Sequence, residues 1–63
     1  MTRYIFTPAD GSARVTLDVE NKNGAYECIA DGLDRDYPSI RRSSVGPDVW
    51  DGDEHLGLLV KVS

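Results

Sequence analysis

The sequence predicts a mainly β fold: a small antiparallel sheet of about four strands that starts as a β-meander, with an excursion over residues 31–54 holding a short helix or a fifth strand. Three observations carry this expectation. Residues 12–21, SARVTLDVEN, alternate apolar and polar side chains without a break. Leu56, Leu58, Val60 and Val62 repeat the same spacing near the other end. Between Phe6 and Val15 stands Asp10-Gly11, a dipeptide suited to the positive backbone angles of a tight hairpin turn. A period of two with β-branched residues marks a strand buried on one face and wet on the other.

The first hairpin joins strands over 2–8 and 13–21. A turn at Asp10-Gly11 sets Phe6 against Val15 and Tyr4 against Leu17 on one face, and Arg3 against Asp18 on the other. A slip of one residue would turn Tyr4 and Phe6 into water. Pro8 falls at a strand end, where its missing N–H costs little.

A second turn at residues 21–24, NKNG, leads into a third strand over 25–30, AYECIA. Either register open to it leaves like charges opposed, Glu20 or Asp18 facing Glu27, and sends Ile29 outward. The last strand is expected over 55–63, with Leu59 on its second face. The excursion is too long for a structureless loop in so small a domain. It offers one or two helical turns beginning near Ser39, where serine can cap, or a strand over 39–45. The core is then Tyr4, Phe6, Val15, Leu17, Val19, Tyr26, Cys28, Leu56, Leu58, Val60 and Val62. Ile5, Ile29 and Leu59 form a second apolar face suited to self-association.

Sixty-three residues make one domain, 1–63, with a thin core. A single cysteine excludes an internal disulfide and fits a reducing, cytoplasmic setting. The N-terminus does not read as a signal peptide, and no apolar run reaches the ~20 residues of a membrane helix. The net charge of −4 is confined to residues 31–54, where seven acids face Arg35, Arg41 and Arg42. Such a balance argues against binding nucleic acid or an anionic membrane, both of which need a basic face.

The densest chemistry lies in DVWDGDEH, residues 48–55. It carries Asp48, Asp51, Asp53 and Glu54 with the sole tryptophan and the sole histidine. As a calcium loop the spacing fails: glycine falls fifth instead of sixth and the twelfth position is Leu59. Asp51-Gly52 and Gly46-Pro47 read instead as turns, and no metal or cofactor is expected. Trp50 is either a lid on the core or an exposed anchor ringed by acids that attract a basic partner. Cys28 and His55 are the one pairing open to nucleophilic catalysis, and the expected strands face them apart. Arg41 and Arg42, in RRSS, are expected to pair with Asp34 and Asp36.

The expected function is a non-enzymatic protein-binding module. Its site would be Asp48, Trp50, Asp51, Asp53 and Glu54, engaging a basic protein, for example as an inhibitor or regulator of a nucleic-acid-handling protein. The alternative is an assembly protein that forms a homo-dimer or higher oligomer through a sheet edge and the Ile5, Ile29 and Leu59 face.

Overall fold

The computed structural model describes residues 1–62. The chain runs β1 (Thr2–Pro8), β2 (Val15–Val19), α1 (Lys22–Leu33), α2 (Tyr37–Ser43), β3 (Asp48–Asp51) and β4 (Glu54–Lys61). All strand pairs are antiparallel, in the order β2-β1-β4-β3, and both helices pack on one face of this four-stranded sheet. The small antiparallel sheet expected from the sequence is therefore present, with a short helix and an edge strand inside residues 31–54. Ser63, at the end of the last expected strand, lies outside the described residues.

The first hairpin adopts the register that apolar alternation dictates, pairing Phe6 with Val15, Tyr4 with Leu17 and Arg3 with Asp18. Arg3 Nε donates to Asp18 Oδ1 at 2.9 Å. The connection is wider than a two-residue turn, since pairing between the two strands ends at Phe6 and Val15. Gly11 sits at φ 88°, and Ser12 holds the Asp10 carboxyl below its ordinary range, chiefly through its hydroxyl and then through its N–H, which donates to Asp10 Oδ1 at 2.9 Å.

The expected third strand over 25–30 is instead the body of α1. Asn21 caps it from an extended conformation, accepting the Gly24 N–H at 3.0 Å. Ala25, Tyr26, Ile29 and Ala30 then fall on one side and are buried, a helical spacing that overrides the shorter alternation of Tyr26, Cys28 and Ala30. Cys28 turns outward and is exposed. The helix ends where Asp34 takes a left-handed conformation and the Arg35 N–H reaches the Ala30 carbonyl at 2.7 Å. α2 follows with Pro38 in its first turn, covering the core with Ile40.

The expected apolar row of the last strand is also split. Val49 pairs with Gly57 and Trp50 with His55, so Leu56 is an extra residue in β4. Such a bulge reverses which alternate side chains face the core beyond it. Leu56 and Leu59 therefore both point inward and are buried, whereas Leu58, Val60 and Val62 are 41%, 51% and 52% exposed. Val15 too is exposed, beside the loop that joins the two strands of the hairpin. The core comprises Tyr4, Phe6, Val19, Ala25, Tyr26, Ile29, Ala30, Ile40, Val49, Leu56 and Leu59, flanked by Leu17 and Tyr37.

Gly57 makes the bulge possible. Its φ is 155°, and a Cβ there would lie 2.3 Å from the Thr7 carbonyl oxygen and 2.9 Å from Phe6 Cε1. Gly57→Ala is expected to cost about 2 kcal/mol or more in urea unfolding, by forcing β1 and β4 apart. Gly32→Ala, in α1 with no atom within 4 Å of the added carbon, is expected to stabilise by about 0.5–1 kcal/mol. A neutral Gly57→Ala variant would refute this role for the close approach.

Candidate functional site

Residues 48–55 form the β3–β4 hairpin. Asp51 pairs with Glu54, Gly52 takes φ 67°, and Asp53 is exposed at the tip. Strand alternation divides the five candidate residues between two surfaces. Val49 is buried, so its neighbours Asp48 and Trp50 face the side of the sheet that no helix covers.

Asp51 and Glu54 serve the helical side. The Ser39 hydroxyl donates to Asp51 Oδ1 at 2.6 Å. Arg35 donates to both Glu54 oxygens at 2.7 Å and to Asp51 Oδ2 at 3.1 Å. This fork is the planar, two-point geometry that suits guanidinium and carboxylate. It raises the Arg35 pKa, chiefly through Glu54 and then Asp51. Asp51 is held below its ordinary value by Ser39 and then by Arg35, and Glu54 by Arg35. Part of the acidic excess is thus neutralised within the fold.

The end of α2 secures the hairpin's free edge. The Ser44 hydroxyl oxygen accepts the Trp50 N–H at 3.0 Å, and that of Ser43 accepts the Gly52 N–H at 2.9 Å. Both serines therefore occupy ladder positions along β3, which leaves less of that edge open to another chain.

On the uncovered face, Trp50 packs on His55 with ring centroids 4.8 Å apart and planes at 48°. His55 Nε2 lies 3.2 Å from Asp48 Oδ1. Asp48 is paired with Leu58, Leu58 with Thr7, Val60 with Ile5, and Ile5 with Thr16. One surface therefore carries Trp50, Leu58, Val60 and Ile5 in adjoining positions, with Arg3–Asp18 on one flank and Asp48–His55 on the other.

Of the residues expected to self-associate, only Ile5 lies on this surface. Ile29 and Leu59 are 5% and 3% exposed and belong to the core. Helical spacing turns Ile29 inward, and the bulge does the same for Leu59. Cys28 lines an apolar groove of about 250 Å³ beside Phe6, Val15, Leu17 and Ile29, in a different layer from His55. Among the described residues, no group of three or more His, Cys, Asp and Glu converges as metal ligands. None of their helices is long and apolar enough to cross a membrane.

Sequence reasoning missed Arg35, Ser39, Leu58 and Val60. The first two act across long separations that leave no local signal. Leu58 and Val60 were assigned to the wrong face because nothing but Gly57 marks the bulge. The expected pairs of Arg41 and Arg42 with Asp34 and Asp36 do not form.

Asp51 and Glu54 bind protons less readily in the fold than in the unfolded chain. Their network therefore stabilises fully above the ordinary values, 3.8 and 4.5, and its contribution is lost as pH falls through the lowered folded values. The melting temperature is expected to fall more steeply between about pH 5 and about pH 3 in the native sequence than in Arg35→Gln. Parallel curves for the two proteins would show that the fork contributes nothing. No family model, curated protein or solved structure matches the chain, so its function is read from this geometry.

Proposed function

We propose that this chain is a non-enzymatic protein-binding module whose binding surface is the uncovered face of its sheet, with Trp50 as anchor. The observation that carries the reading is the run of exposed Leu58 and Val60 beside half-buried Ile5 and Trp50 and exposed His55. A continuous apolar strip on a small acidic domain is the kind of surface that proteins cover with a partner. Aromatic side chains supply much of the energy at such contacts.

The partner is a protein with a basic surface. Asp48 borders the strip, and Asp53 stands at the adjoining turn, where its charge draws in a cationic surface before contact. Carboxylates of this kind occupy sites built for phosphate, so the specific form of the reading is an inhibitor or regulator of a nucleic-acid-handling protein. Cys28, exposed and unpaired, fits a reducing cytoplasmic setting.

A second reading is favoured by one observation: the charged side chains framing the strip already have partners, Arg3 with Asp18 and Asp48 with the His55 ring. Two copies of an acidic chain could meet there without opposing like charges, which is the assembly reading transferred to Ile5, Leu58 and Val60.

Leu58→Lys and Trp50→Ala are expected to weaken capture of a partner from the native host at least about tenfold, and Asp53→Asn to weaken it less and only at low salt. Capture unaffected by Leu58→Lys would remove the sheet face from the account. Sedimentation separates the two readings. A native species of twice 6.9 kDa that Leu58→Lys reduces to 6.9 kDa supports self-assembly. A 6.9 kDa native species supports a foreign partner.

A further inference from the structure

On the helical layer, away from the uncovered sheet face, α1 and α2 flank an open cleft of about 610 Å³ lined by Asn23, Tyr26, Tyr37, Pro38, Arg41 and Arg42. Tyr37 and Arg41, like Pro38 and Arg42, are four residues apart and so stand one above the other along α2. Neither arginine forms an ion pair among the described residues, although the chain holds eleven acids. Lys22 stands at the margin, its Nζ 5.8 Å from the centre of the Tyr26 ring and donating to the Gly46 carbonyl at 2.6 Å.

The tyrosines add a second observation. Tyr26 is 5% exposed and Tyr37 half-buried, yet neither hydroxyl bonds a side chain or carbonyl among the described residues. No buried side-chain oxygen or nitrogen there lacks a partner, so these hydroxyls are not sealed in the core. Both tyrosines line the cleft. Its lining thus comprises two arginines, two tyrosines, an asparagine and a proline, with no carboxylate. Two other cavities each carry acid, Asp10 in one and Asp10 with Glu54 in the other.

Several donor-bearing side chains lining one cleft without a counter-charge suit a tetrahedral oxyanion with acceptor oxygens on every side. Glu27, Asp31, Asp34 and Asp36 lie on α1 and on the link to α2, in a chain of net charge −4. They repel a long polyanion that would run beyond the cleft. We infer that the cleft between α1 and α2 binds the phosphate group of a small phosphorylated molecule, gripped by Arg41 and Arg42 with Tyr26, Tyr37 and Asn23 as neutral partners. The site is independent of the sheet face and stands whichever partner that face takes.

The test is an NMR titration of the full chain at low salt with phenyl phosphate, inorganic phosphate and a short single-stranded oligonucleotide. Saturating shifts are expected at the Arg41 and Arg42 side chains, half-complete at low millimolar phenyl phosphate. Arg41→Gln/Arg42→Gln is expected to weaken binding about tenfold or more, and Tyr37→Phe severalfold. Both arginines are exposed, so unchanged amide dispersion will show the double variant folded. Arg3→Gln, which removes a cation on the other side of the sheet, should leave binding intact. Shifts that fail to saturate, equal weakening by Arg3→Gln, or tighter binding of the oligonucleotide would each overturn the inference.

Discussion

The close approach of Gly57 to Phe6 and Thr7 is the constraint on which the rest of the molecule depends. At that point β4 carries one residue more than β3, and the missing side chain lets β1 come near enough to keep pairing. Everything beyond takes the opposite facing from what alternation with Leu56 demands. Leu59 enters the core, and Leu58 and Val60 are released to the other side. Without that shift the sheet would bury one continuous row and present Leu59 and Lys61 where the proposed binding surface now lies. The bulge therefore creates the uncovered apolar strip by the same step that completes the core.

The charges follow a similar division. The acid-rich middle of the chain is tied down by Arg35, which joins the link after α1 to both strands of the last hairpin. Ser39 and the two serines ending α2 bind the same hairpin from the helical side. What reads as a solvated excursion is thus a brace, and the acids left free stand at the turn and along α1. Such exposed and half-exposed contacts are individually modest, but they position β3 and so orient Trp50.

The parts of this arrangement that were legible in the sequence are those set by neighbours a few residues apart. The register of the first hairpin followed from three agreeing signals, namely Tyr4 and Phe6 against Leu17 and Val15, Arg3 against Asp18, and a turn at Asp10-Gly11. The segment 25–30 was misread because Tyr26, Cys28 and Ala30 alternate by chance. Its real period shows only when Ala25 and Ile29 are taken with Tyr26 and Ala30, and the like-charge clash in both strand registers is the sign of trouble. The acidic segment reads as a turn at Asp51-Gly52, but not as two strands whose residues are split between two faces. That split, the role of Arg35 and the unpaired state of Arg41 and Arg42 depend on contacts between distant segments, which no local pattern encodes.

The sheet order has one more consequence. The two central strands, β1 and β4, are the first and last elements of the sequence, and both edges are built from what lies between. Tyr4 meets Lys61, and Phe6 meets Leu59, so the centre of the sheet forms only by closing nearly the whole chain into one ring of contacts. Closing so long a loop is entropically costly and slows folding. During synthesis the first hairpin and both helices emerge with nothing to fill the gap between them. Cooperative folding must wait until the last strand has left the ribosome.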